Sequence, residues 1–182
     1  MDIVAESGVD HVVTAIASQE RRELLATLAE HRSLFLRTVQ GISDDEARCR
    51  TTVSELTLGG LIKHVSLVET GWANFIRTGP RAASATDEES ANAHAAGFEM
   101  VENDTLARLI DAYERATLET DELVRNVPSL DASHPLPEAP WFEPGASWSA
   151  RRVILHIIAE TAQHAGHADI IRESLDGAKT MG

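Results

Sequence analysis

The sequence predicts an all-α protein: a four-helix bundle with two long connections. Three observations carry this. Four stretches of about 20 residues repeat apolar side chains at three- and four-residue steps. Glycine- and proline-bearing breaks separate them, and no period-two alternation lasts more than a few residues. Four amphipathic helices of this length are most simply buried against one another. The chain has 182 residues, 43% hydrophobic and 25% charged, which is ordinary for a globular protein and enough for one core.

Residues 1–18 show no strong pattern. Val12, Val13 and Ile16 suit a short helix or a docking arm, so 1–18 reads as an N-terminal extension and 19–182 as the bundle. From Gln19 to Val39 the apolar positions Leu24, Leu25, Leu28, Phe35 and Val39 define the first helix, and Gly41 ends it. Ser43-Asp44-Asp45-Glu46 is a capping-box pattern that starts a short helical turn. Thr57 opens a second helix, Leu58 to about Arg77, with Leu58, Leu61, Ile62, Val65, Trp72 and Ile76 inward, and Gly79-Pro80 closes it. Residues 81–103 read as a long connection with one helical turn near Ala91–Phe98 and His94 exposed. A third helix, about Thr105 to Asn126, uses Leu106, Leu109, Ile110, Tyr113, Leu118 and Leu123.

Residues 127–148 hold five of the six prolines and form a second long connection, in which Trp141, Phe142 and Trp148 argue for packing. The fourth helix runs from Ser149, its N-cap, to Leu175, with Gly177 just beyond as a left-handed stop. Its stripe is Val153, Ile157, Ala168, Ile171 and Leu175.

Composition excludes several classes. A net charge of −13 with no Lys/Arg run disfavours nucleic acid and anionic membranes. No run approaches the ~18 apolar residues of a membrane span. The acidic N-terminus lacks the basic region of a secretory signal, which leaves the cytoplasm as the expected compartment. Cys49, the sole cysteine, cannot form an intrachain disulfide and reads as an inert, half-buried thiol.

The chemistry is expected on the fourth helix. Glu160 and His164 fall within its apolar stripe, one turn apart, and a carboxylate facing a core is costly unless paired, hydrogen-bonded or bound to metal. Spacing alone leaves two readings open: a shared divalent cation, or a Glu–His hydrogen bond that orders the core. His64 sits at the edge of the second helix's stripe, at a helix–helix seam, and would complete a His-Glu-His set with open positions. Glu69, further along the inward side, would either hydrogen-bond a ligating histidine or pair with an arginine. His156 and His167 flank the fourth helix's stripe. His156 is an alternative ligand, and His167 is expected to order the site or donate a proton. His134 is a weaker candidate. No Glu is followed by His three residues on, which argues against a di-iron bundle. No His-Glu-x-x-His, P-loop or dinucleotide fingerprint occurs.

The segment Thr57-Leu58-Gly59-Gly60-Leu61-Ile62-Lys63-His64-Val65, with Val68-Glu69 and Trp72, resembles the second helix of the DinB/YfiT-like bundles. His156 through Arg172, with Glu160-Thr161-Ala162-Gln163-His164-Ala165-Gly166-His167, resembles their last helix. The likeness covers about residues 20–176 and is nearest the TLGGLxKH branch. It implies a divalent metal held by His64, Glu160 and His164. Most members have His at the position of Glu160, whereas the mycothiol-dependent maleylpyruvate isomerase branch is similar to this chain in having Glu. The resemblance thus implies a metal-dependent thiol S-transferase or isomerase. Zinc is the first choice of metal, with nickel or iron as others, and mycothiol or bacillithiol is the thiol. Fourteen of the 16 basic residues are arginine, which leans toward mycothiol. The expected partners are a small electrophilic substrate and the low-molecular-weight thiol, with a homodimer left open. A metal-assisted hydrolase and a non-enzymatic metal-binding or stress-related bundle are the rival expectations.

Overall fold

A computed structural model describes residues 4–80 and 96–180, with side chains from residue 19 onward. The order is α1 (Val4–Arg37), α2 (Asp44–Arg48), α3 (Leu58–Thr78), α4 (Leu106–Asn126), β1 (Ser133–Pro135), β2 (Ser147–Ser149) and α5 (Ala150–Asp176). The four long helices form the bundle. Helix α5 packs between α1 and α3, α3 between α5 and α4, and α4 closes more lightly on α1. Because α3 and α5 are neighbours, residues of the second and last long helices meet across one seam. Among the described residues, no helix is long and apolar enough to cross a membrane.

The helix boundaries follow from caps visible in the sequence. The Thr57 side chain accepts from Gly60 N at 3.1 Å and the Ser149 side chain from Arg152 N at 3.2 Å. Ser43 and Glu46 form both halves of the capping box that starts α2. Gly177 ends α5 at φ 82°, the left-handed conformation glycine adopts without a Cβ clash. Arginines from neighbouring helices serve carbonyls near the helix ends. Arg172 Nη1 donates to Thr38 O (3.0 Å) and Gln40 O (2.8 Å) beyond α1, and Arg21 Nη2 donates to Val127 O (2.7 Å) beyond α4.

Four points differ from the sequence expectation. Helix α1 starts at Val4, not Gln19, so the first 18 residues mostly continue it. Once nucleated, a helix propagates on its own hydrogen bonds and needs no apolar stripe to be legible. Two three-residue strands pair antiparallel within the Pro-rich connection, His134 opposite Trp148. A ladder this short shows no alternation to read. Leu118, assigned to the third helix's apolar face, is 68% exposed. Cys49 is exposed rather than half-buried. The expected turn near Ala91–Phe98 lies mostly, and His94 wholly, outside the described residues.

The core is two apolar clusters stacked along the bundle. One gathers Phe35, Leu58, Leu61, Ile62, Val65, Leu109, Tyr113 and Ile171. The other gathers Leu24, Leu28, Ile76, Val124, Val153, Ile154 and Ile157. Among the described residues, the four long helices also bury the polar side chains Arg32, Glu69, Thr120 and Thr161. Arg32 Nη2 pairs with Glu69 Oε1, and Arg32 Nη1 with Asp121 Oδ1 at 2.7 Å. Burial pushes the Glu69 carboxyl up despite the pull of Arg32. Glu69 Oε2, Arg32 Nε and Tyr113 Oη make no hydrogen bond of good geometry among the described residues.

A buried ion pair is far costlier to halve than to remove whole. Arg32→Met is expected to lower the stability read by urea denaturation by about 3 kcal/mol or more. The double variant Arg32→Met, Glu69→Met should recover most of that loss. A single variant within about 1 kcal/mol of wild type would show that the pair carries little.

Candidate metal centre

On α5 the line that faces the core passes through Val153, Ile157, Thr161, Ala168 and Ile171, all buried. Glu160 and His164 lie about 100° and 60° round from Thr161 on the same side, at 100° per residue. That side faces α3: the His64 and His164 rings meet edge-on with centroids 4.9 Å apart. Glu160 therefore sits at the rim of the stripe, its side chain 26% exposed, and not at its centre as the periodicity suggested. Thr161 takes the inward position, its hydroxyl donating to Ile157 O at 2.9 Å.

His64, Glu160 and His164 each offer one ligand atom, and these atoms all lie within 4.8 Å of one another. Glu160 Oε2 is 3.6 Å from His164 Nε2. Two donors bonded to one cation at about 2.0–2.2 Å are at most ~4.4 Å apart. The bound on the set is thus within a few tenths of an ångström of the span one ion bridges, and the Glu160–His164 pair lies inside that span. Two imidazole nitrogens and one carboxylate oxygen form a donor set that suits zinc and also iron or nickel. Glu160 is held below its ordinary value, first by its hydrogen bond with His164 and then by the neighbouring histidines, against the opposing effect of burial. It is a carboxylate at neutral pH, the form a cation requires.

The flanking histidines each face one member of the set. His156 Nε2 is 3.5 Å from Glu160 Oε1. Its ring is edged by Trp72 (centroids 4.9 Å) and Trp148 (5.1 Å). Burial there holds the imidazole below its ordinary 6.5, partly offset by Glu160. His167 Nδ1 is 3.4 Å from His164 Nδ1. The other sequence candidates lie elsewhere. Glu69 bonds Arg32 in a buried pair. His134 packs on Gly79, its Nε2 3.3 Å from Ile76 O, and joins β1 to the end of α3.

Sequence reasoning missed Phe98. Its ring stacks on His64 with centroids 3.7 Å apart at 17°, and meets His164 at 6.0 Å. The signal lay in Gly59-Gly60. A Cβ on Gly60 would sit 1.9 Å from Phe98 O, and one on Gly59 2.5 Å from Met100 Sδ. Only glycine lets the 96–100 segment cross α3 this closely, and that crossing delivers Phe98 to the imidazole.

A family model described as mycothiol S-transferase matches residues 23–177. No curated protein matches the chain. Among solved structures, the fold is similar to a point mutant of the mycothiol-dependent maleylpyruvate isomerase. The TM-score is 0.61 at 14% identity, over 87% of this chain and 62% of that one. It is also similar to a conserved protein from Enterococcus faecalis, with TM-score 0.60 at 14% identity, over 86% of this chain and 97% of that one. The chain thus spans 62% of the length of the isomerase structure, and at these identities the likeness to both shows the fold.

Two expectations follow. Gly60→Ala should cost about 1–3 kcal/mol in urea denaturation through overpacking. That outweighs the gain of up to ~1 kcal/mol that alanine brings to an unobstructed helix. A stabilised variant would mean the crossing is not tight. The second concerns pH. The folded state binds fewer protons than the unfolded chain at His156 and at Glu160, since both values are lowered. Stability is therefore present above 6.5 for the histidine and lost as pH falls through its lower folded value, with Glu160 adding loss further into acid. With metal chelated, the melting temperature of wild type should fall more between pH 7 and 5 than that of His156→Gln. Parallel curves would contradict this.

Proposed function

The chain belongs to the mycothiol S-transferase family, within the DinB/YfiT-like bundles, and from that premise we propose that it joins the sulfur of a low-molecular-weight thiol to a small electrophile at a divalent cation held by His64, Glu160 and His164. The observation that carries the reading is the convergence of the three ligand atoms within 4.8 Å at the α3–α5 seam. Mycothiol is the first candidate thiol and zinc the first candidate cation. Bacillithiol, nickel and iron are the other members of each class. When bound, the cation supplies Lewis acidity that keeps a thiol sulfur as thiolate at neutral pH.

The chain's own residues prepare that chemistry. His156 Nε2 lies beside Glu160 Oε1, while Glu160 Oε2 is on the His164 side. With a cation in place, a proton on His164 Nδ1 facing His167 Nδ1 would free the His164 Nε2 lone pair, which otherwise carries the proton that bonds Glu160, to serve as a ligand. Phe98 and the apolar side chains around His64 exclude water from one side and strengthen charge interactions within the seam. His64, Glu160 and His164 would hold the cation through three protein atoms, the number that catalytic rather than structural sites use. The reaction class is sulfur–carbon bond formation: the thiol S–H bond breaks and its proton is released, the sulfur's electron pair forms the new bond, and the carbon gives up either a leaving group with its bonding pair, such as bromide, or the π pair of an activated double bond, which then takes up a proton. In an isomerase the same bond forms and breaks again.

The purified protein should carry about one divalent ion per chain by elemental analysis, and it should consume mycothiol, but not glutathione, in the presence of an electrophile such as monobromobimane. His164→Ala should lose the ion and at least ~100-fold of the rate, a larger effect than the 10–100-fold typical when only a residue behind a ligand is removed. Metal-loaded protein with no thiol-dependent turnover across a panel of electrophiles would overturn the transferase reading.

A further inference from the structure

A cleft of about 420 Å³ opens between α3 and the connection that carries Pro137, Trp141 and Phe142. Its walls are aromatic: Trp72 and Phe75 from the helix, Trp141 and Phe142 from the connection. Among the described residues that line it none is charged, although the chain carries a net charge of −13. Of the walls, Trp72, Phe75 and Phe142 are braced by ring contacts. Trp72 stacks on Trp148 (centroids 4.9 Å, 19°) and meets Phe75 edge-on at 5.4 Å, and Phe142 meets Trp148 edge-on at 5.6 Å. At the mouth, Trp141 is 77% exposed and Leu67 55%, a large apolar area left in water. Between them α3 presents Gly71, where an added Cβ would meet nothing within 4 Å. The missing side chain leaves the floor of the cleft open.

The cleft adjoins the metal centre. Val68, which lines it, is one turn from His64 on α3. Trp72 edges His156, which faces Glu160. A volume in the range of small-molecule sites, aromatic walls and an uncharged lining select one kind of occupant. We infer that this cleft binds an uncharged aromatic ligand stacked among Trp72, Phe75, Trp141 and Phe142. On the thiol-transfer reading, on which this role rests, that ligand is the apolar part of the electrophile, held beside the sulfur. Binding itself needs only the cleft.

The test is titration of the full-length protein with N-phenyl-1-naphthylamine, an uncharged dye that brightens on leaving water. Saturable binding at one site per chain is expected. Gly71→Leu, which grows a side chain into open space, and Trp141→Ala, which removes an exposed ring, should each weaken it about tenfold or more without lowering the melting temperature. 1-Naphthoate should bind at least ~10-fold more weakly than 1-naphthol in competition with the dye. His164→Ala should lose metal yet keep dye binding, which separates failure of the metal reading from failure of this one. Dye binding unchanged in Gly71→Leu, equal binding of naphthoate and naphthol, or a dimer in sedimentation that Trp141→Ala dissolves would each overturn the inference. The last result would show that a second copy of the chain occupies the cleft.

Discussion

Withdrawing two imidazoles and a carboxylate from water costs free energy, and the α3–α5 seam withdraws all three at one level of the bundle. His64 and His164 are buried and Glu160 is half-buried. Burial by itself raises such a carboxylate's affinity for a proton. Here the histidines around it hold it ionised, and it holds them in reach of a common centre. The seam exists because α3 and α5 share both apolar clusters, so the position of the three side chains is fixed by packing well beyond them. Anything that slides α3 along α5 by one turn separates the set.

The buried polar residues Arg32, Glu69, Thr120 and Thr161 bear on the same constraint. Hydrophobic contact alone tolerates sliding, because one apolar face fits another in several registers. A buried ion pair does not, since any slip leaves a charge unpaired. Thr161 lies one residue from Glu160, and Glu69 five residues beyond His64, so buried polar residues border the site on both helices. Glycines 59 and 60 add a second restraint. They admit a crossing segment close enough to stack Phe98 on His64, which limits the ring to one orientation.

Much of this was legible in the residues. The four long helices and the caps at Ser43, Thr57 and Ser149 follow from local rules that act within a few residues. The meeting of His64 with Glu160 and His164 was foreseeable only in part. Periodicity gives the face of a helix to within a residue or so, which is why Glu160 seemed central and Thr161 went unnoticed. Helix adjacency in a bundle is not encoded at short range at all, and the likeness to a known family supplied it. Phe98 and the β1–β2 pairing were not legible, because each depends on contacts between segments more than ten residues apart. The extension of α1 to Val4 was hidden by the want of any apolar stripe.

The account stands on one cation lying between three named side chains. Diffraction from crystals grown with zinc, recorded above and below the zinc absorption edge, examines this directly. The account predicts a single anomalous peak at bonding distance, about 2.0–2.2 Å, from a nitrogen of His64, a nitrogen of His164 and an oxygen of Glu160. No peak at the seam, or a peak ligated by other residues, would contradict it.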